Sequence, residues 1–384
     1  MSGRTLIRVT VIAGAIVLLL QGCCRNCRIE NVVTIDFEMA ETMIDWLESA
    51  AAGVPEDSLR SRFFEEIAPT LGCQAIIWHW ARFREWNEEL FYDFILEGMG
   101  LKEGEGPLVD DQGIMTSLGK RRSLWTAALA APDRLRELLH SLREAELRRP
   151  AARLATKYLP RDTDITNEFY VVLFGGSSAF SVGDVNGYDL LQMPLDHQGN
   201  LDIPEIERTF AHELHHTGFS NSAGFGMQDL EDSSSIDLIG LLVVEGMATR
   251  LVSRTDDHLE HYRTAPGANA RGIARDWDRL LPQLPDLYRQ AERDIRRNFE
   301  GEVDLTTLLG YWVEGYQGPA YILGSDMIAL IEDNLGRKVL RSLPSDYRLF
   351  LDIYNRAAEK AARRGEEVFL FDTALVEAVK NLRN

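Results

Sequence analysis

Cysteine is scarce in this chain. The four cysteines among 384 residues, Cys23, Cys24, Cys27 and Cys73, give no disulfide framework, and a chain this long buries enough surface to do without one. Cys73 opens an apolar segment and reads as a small buried residue. Positive charge is also short: 41 Lys and Arg face 60 Asp and Glu, a net charge of −19. That balance argues against nucleic-acid binding and against electrostatic adhesion to anionic lipid. There is no internal repeat and no low-complexity linker, so nothing points to a solenoid or to beads on a string.

What is present begins at the N-terminus. Arg4 and Arg8 form a basic start, and Val9–Leu20 is an apolar run too short to span a bilayer. The run ends Leu20-Gln21-Gly22-Cys23, which resembles a bacterial lipobox with cleavage before Cys23 and acylation of its thiol. A short uncleaved anchor is the alternative, and either reading places the mature chain outside the cytoplasm. The second mature residue, Cys24, is not aspartate. By resemblance to known sorting patterns this favours the outer membrane in a Gram-negative host, facing the periplasm or the cell surface. A Cys24–Cys27 pair beside a lipid anchor is weak evidence for a metal or redox site.

The chemistry-bearing signal is His212-Glu213-Leu214-His215-His216, an H-E-x-x-H motif. Histidines four apart share a helical face, so both imidazoles can reach one cation while the glutamate handles a proton. Ile203, Ile206, Phe210 and Leu214 recur at helical spacing. Asp202 and Pro204 suit a helix start and Gly218 suits a stop. His215 is read as a bystander.

A catalytic zinc ion takes three protein ligands and keeps one position open. The metzincin pattern is excluded, because Phe219 stands where it needs a glycine and Ser222 where it needs the third histidine. The downstream carboxylates are Asp229, Glu231, Asp232, Asp237 and Glu245. The first three lie in a serine-rich, loop-like stretch. Glu245 closes the apolar run Ile236–Val244 and shares a face with Leu238, Leu241, Leu242 and Thr249. A carboxylate there is costly unless bound to metal or paired, with Arg250 or Arg254 the available partners.

Together, His212-Glu213-x-x-His216 and Glu245-Gly246-Met247-Ala248 resemble the gluzincin metallopeptidases. More narrowly, they resemble a bacterial family of zinc-dependent peptidases that also carries a stretch like Gly318–Met327. The resemblance spans about residues 165–355. It implies one zinc ion held by His212, His216 and Glu245, Glu213 as general base, and a zincin-like fold; the leading reading is a lipid-anchored zinc metallopeptidase with a peptide or protein substrate, whose identity the resemblance does not carry over. A donor for the developing oxyanion is also needed. Tyr321, in the glycine-flanked segment that resembles the family, leads Tyr311 and Tyr316. The same site chemistry would serve hydrolysis of a non-peptide amide or ester, and a non-catalytic lipoprotein with a structural or vestigial metal is the reading from a different class.

The expected organisation is a signal peptide over 1–22, a tether over 23–33, a helical half over 34–160 and a zincin-like domain over 161–384. In the helical half, Ile35, Met39, Met43, Trp46 and Leu47 form one stripe and Cys73–Leu96 is aromatic core, with His79 a satisfied core or surface histidine. Strands are expected only after Asp162. Phe169–Phe174 is the first, Val185-Asn186-Gly187-Tyr188 is a hairpin signal, and Leu190–Leu195 is a following edge strand, with Pro194 at the edge, against which a substrate could pair. Asp276–Phe299 is expected as one charged helix. The fold class is α+β, mostly helical, with a small antiparallel or mixed sheet beside the HExxH helix.

Overall fold

The computed structural model describes residues 33–81, 85–109, 116–182, 185–223, 236–252 and 255–382. Cys23, Cys24, Cys27, Asp229, Glu231, Asp232 and Arg254, and with them the expected signal peptide and lipidation site, lie outside the described residues. The chain runs β1 (Val33–Asp36), then seven helices: α1 (Glu38–Ala51), α2 (Glu56–Arg62), α3 (Leu71–Ala81), α4 (Glu88–Met99), α5 (Ser117–Ala130), α6 (Pro132–Glu144) and α7 (Arg148–Ala155). Three strands follow, β2 (Asn167–Val172), β3 (Ala179–Val182) and β4 (Val185–Asp189). Then come α8 (Ile203–Ala223), α9 (Asp237–Val252), α10 (Thr255–Thr264), α11 (Ala268–Leu280), α12 (Leu284–Phe299), α13 (Leu305–Trp312), α14 (Pro319–Leu335), α15 (Arg337–Leu340), α16 (Phe350–Ala362) and α17 (Thr373–Lys380).

The helices form where apolar residues recur at helical spacing and a polar residue caps the start. In α1 one stripe of Met39, Met43, Trp46 and Leu47 is fully buried, and the Trp46 indole donates to the Leu59 carbonyl at 2.8 Å. Asn87 caps α4 by accepting from Leu90 N, and Thr116 caps α5 by accepting from Gly119 N. Gly100, at φ 81°, ends α4 in the left-handed conformation that only glycine adopts without strain. The expected Asp276–Phe299 helix is two helices, α11 and α12, because Pro282 in the 3-10 turn Leu281–Gln283 has no N–H to continue the ladder.

The sheet is mixed, with strand order β1-β2-β4-β3. β1 and β4 flank β2 in parallel, and β3 pairs antiparallel with β4. Phe169, Tyr170, Val171 and Val172 in β2 are all buried, so both faces of this strand are covered, as parallel pairing requires. The architecture is the expected mostly helical α+β class.

Three strand expectations need correction. β1 precedes Asp162, and Ile35 belongs to it rather than to the helical stripe. Asn186 and Gly187 are not a turn; they sit inside β4. Gly187 is glycine because a Cβ there would lie 2.1 Å from the Phe180 ring across the pair. Leu190–Leu195 is not an edge strand. Asp189 accepts from Leu191 N and closes a 3-10 turn over Leu190–Gln192, and Leu195 makes only an isolated bridge to Leu201. The sheet edges are β1 and β3.

Among the described residues most buried apolar side chains form one cluster that runs from Val33 to Val379 and includes residues from both halves of the chain, and Tyr262, Ala270 and Ala274 form a second, small one. Among the described residues no helix is long and apolar enough to cross a membrane.

Candidate metal centre

Helix α8 carries the HExxH motif. Its start matches the sequence signal, since the Asp202 carboxylate accepts from Glu205 N at 3.2 Å. Ile206, Phe210 and Leu214 are fully buried, and Phe210 stacks on Phe169 of β2 with ring centroids 4.1 Å apart. The helix does not stop at Gly218 but continues to Ala223. A Cβ on Gly218 would lie 2.3 Å from Leu159 and 2.8 Å from Ile165, so the glycine admits the 159–165 segment against the helix. A buried polar chain fixes α8 to the sheet: Asn186 Nδ2 donates to Asn167 Oδ1, and Asn167 Nδ2 donates to Thr217 Oγ1 at 2.8 Å.

Helix α9 brings Glu245 to the two imidazoles. Glu245 Oε2 lies 3.5 Å from His212 Nε2 and 3.6 Å from His216 Nε2. One ligand atom from each of the three residues falls within 4.8 Å of the others. The imidazole rings are 4.7 Å apart and nearly perpendicular. His215 faces the other way. It is fully buried and its Nδ1 lies 2.9 Å from the Ala155 carbonyl of α7, as its bystander reading expects. Arg250, the expected rival partner of Glu245, instead approaches Glu332 at 3.5 Å.

These residues fit a zinc ion. Tetrahedral ligands bound at about 2.0–2.1 Å lie about 3.3–3.4 Å from one another, close to both histidine–glutamate separations. The same distances are long for an N–H···O bond, and Glu245 Oε2 is a buried oxygen with no hydrogen-bond partner. A buried anionic oxygen left in that position needs a cation. Side-chain exposures of 13, 16 and 14% at His212, His216 and Glu245 leave a way in for a further ligand.

The electrostatics separate the roles. Burial pushes the His216 imidazole down to about 4 and His215 down to about 3, so both are neutral at pH 7, the form that ligates. Burial pulls on His212 as well, but the Glu245 and Glu213 carboxylates outweigh it and hold its pKa above the ordinary value. Burial raises Glu245 less than the two imidazoles lower it. Glu213, only 8% exposed, is pushed up to about 7 by burial, with Glu245 adding to the rise and His212 opposing it. A carboxyl poised near neutrality both takes and returns a proton.

Tyr321 lies on α14, with its ring 6.4 Å from that of His212 and nearly parallel to it. The negative charge of Glu245, then burial, then Glu213 hold its phenol well above the ordinary value, so it remains a donor. The other two tyrosines sit elsewhere. Tyr311 is 45% exposed against Trp312, and Tyr316 packs beneath Lys120. Tyr321 reaches the triad because α9 and α14 cross with two glycines in contact. A Cβ on Gly246 would lie 2.4 Å from the Gly324 backbone, and a Cβ on Gly324 would lie 2.4 Å from the Leu242 carbonyl oxygen. The sequence reading did not assign these glycines a role. Their signal was a glycine next to the candidate ligand and another one turn after the candidate tyrosine, both inside apolar helices.

Residues 107–363, two-thirds of the chain, match the pattern of a protein family described as "Putative zinc dependent peptidase (DUF5700)". The chain belongs to this family. The match takes in all five residues of the centre, His212, Glu213, His216, Glu245 and Tyr321, and the family description agrees with the donor set found in the fold. Comparison with curated proteins and with solved structures gives no match.

Proposed function

We propose that this member of the family is a zinc metallopeptidase of the bacterial cell envelope, held to the membrane by a lipid on Cys23, with Glu213 as the general base. The observation that carries the reading is the convergence of His212, His216 and Glu245, whose donor atoms lie within 4.8 Å of one another, with Glu245 Oε2 3.5 and 3.6 Å from the two imidazole nitrogens, beside the carboxyl of Glu213. The family description supports zinc and peptide hydrolysis. The basic start, the short apolar run and the Leu20–Cys23 sequence support the anchor.

A zinc ion bound there would supply Lewis-acid chemistry, polarising a carbonyl and lowering the pKa of a water to about 7. His212, His216 and Glu245 would hold the ion. The Glu213 carboxylate takes the proton of the attacking water and delivers it to the nitrogen of the leaving amine. The Tyr321 phenol donates to the carbonyl oxygen as negative charge develops on it. Burial of Glu213 keeps most bulk water from its carboxyl.

Metal analysis of the purified protein, paired with cleavage of a peptide library, tests the reading. Glu213→Gln is expected to keep stoichiometric zinc and to lose about 10²–10⁴-fold in turnover; unchanged turnover would remove Glu213 as the base. Glu245→Ala is expected to lower zinc occupancy sharply. Full occupancy in that variant would mean that a different group is the third ligand.

A further inference from the structure

A cavity of about 430 Å³ opens beside the N-terminal half of α8, and none of the five residues of the centre lines it. Its near wall is Thr209, Glu205 and Tyr188. Thr209 and Glu205 lie four and eight residues before Glu213, which is about 6 and 12 Å along the helix axis. Tyr188 packs on Phe210 and feels the charge of Glu213. An extended peptide advances about 3.4 Å per residue, so a chain cut at the centre would reach this cavity two to four residues from the scissile bond.

Lys120 also lines the cavity. Its ammonium donates to Asn269 Oδ1 at 2.9 Å and lies 4.7 Å from the centroid of the Tyr316 ring. Among the described residues Lys120 has no carboxylate partner. The acidic group that acts on it is Asp189, which is fully buried and already accepts from Phe174 N, Gly175 N, Leu191 N and Gln192 Nε2. Burial lowers the Lys120 pKa, the mark of an ammonium partly stripped of water. Two exposed arginines extend the positive field: Arg271 lines the cavity and the Arg275 guanidinium lies 5.9 Å from the Tyr316 ring centroid. Such a concentration of cationic groups stands out in a chain of net charge −19.

The rest of the lining suits a peptide. Gln192 is 7% exposed, and its Oε1 is a buried acceptor with no partner, able to receive a peptide N–H. Leu191, Met193, Leu195 and Ile273 supply apolar surface. Glu205, the acidic group on the near wall, is matched by Tyr262 OH at 2.6 Å and Arg208 Nε at 2.8 Å, with His261 at 3.9 Å.

We infer that this cavity is a substrate subsite of the metal centre that takes a carboxylate two to four residues from the scissile bond, with Lys120 as the specificity-determining residue. The inference rests on the peptidase reading for its substrate class. The carboxylate is supplied either by an Asp or Glu side chain or by the C-terminus of the peptide, and both present the same group to Lys120.

Equilibrium binding separates these sources. The protein is the full chain, zinc-loaded and carrying Glu213→Gln to block turnover. The ligands are N-acetylated, C-amidated hexapeptides of alanine and phenylalanine with one Glu walked through every position. The controls are the matching Gln series and a Gln peptide with a free C-terminus. At one position, or for the free terminus, the charged peptide is expected to bind at least about 10-fold more tightly than its neutral match. Lys120→Met should abolish that preference and Lys120→Arg should restore most of it. Charged and neutral peptides binding equally at every position, with no gain from the free terminus, would overturn the inference without any Lys120 variant. A preference that survives in a folded Lys120→Met protein would also overturn it. The underlying reading fails differently. If the preference depends on Lys120 but zinc-loaded wild-type protein cleaves none of the peptides, the subsite stands and peptide hydrolysis falls. If the wild type cleaves peptides without regard to their charge, hydrolysis stands and the subsite falls.

Discussion

At Tyr321 three effects act in one direction. Glu245, burial and Glu213 all disfavour the phenolate, so the hydroxyl enters any reaction as a hydrogen-bond donor. Tyr321→Phe keeps the ring against His212 and removes only that donor. It is expected to leave zinc content unchanged and lower kcat by about 10²–10³-fold; wild-type turnover would reduce Tyr321 to packing. The sequence singled out the ligand pair because a spacing of four fixes both histidines on one face, whatever surrounds the helix, and the base because it directly follows the first of them. Glu245 was legible for a different reason: a carboxylate in the run Ile236–Val244 needs a compensating charge, and the apolar neighbours leave few ways to supply one. Tyr321, Tyr311 and Tyr316 were not separable by residue type. What separates them is the set of charges around each, which depends on how distant segments meet.

Among the helices, the α9–α14 crossing decides the geometry of the site. Gly246 follows Glu245 directly, and Gly324 lies one turn beyond Tyr321, so the contact between these glycines sets how closely the ligand and the donor approach. Gly246→Ala would place a methyl group 2.4 Å from the Gly324 backbone, and backbone cannot rotate away. The variant is expected to lose about 1–3 kcal/mol of stability in chemical denaturation and to bind zinc more weakly in a competition titration. Unchanged values for both would show that the helices can part freely. Glycine also explains where local reading failed. Gly218 after a last histidine reads as a helix stop, and Asn186-Gly187 reads as a hairpin turn. In the fold each makes room for a side chain from another element, Leu159 for Gly218 and Phe180 for Gly187. Leu159 is far from Gly218 in sequence, and Phe180, though near Gly187, faces it only through the register of the β3–β4 pair.

At the level of the molecule, β1 joins the first part of the chain to the sheet. Val33 is fully buried and pairs with Asn167 far downstream. A four-residue strand preceding a strong helical stripe has too little periodicity of its own to be seen, and its partner is out of reach of any local pattern. A chain beginning at Glu38 loses β1 and leaves β2 as an unprotected edge. It is expected to melt at a lower temperature and to aggregate in light scattering, whereas a chain beginning at Val33 keeps the stability of the full protein. Equal melting of the two would mean that β1 contributes nothing to the sheet. The buried amides of Asn186 and Asn167 have a consequence of the same reach. Each residue of a helix turns it by about 100°, so a slip of one position would swing both metal-facing imidazoles out of line. Tied to β2 and β4 through Thr217, the helix cannot roll without breaking that buried amide chain. The compass bearing of His212 and His216 is therefore written into the strands.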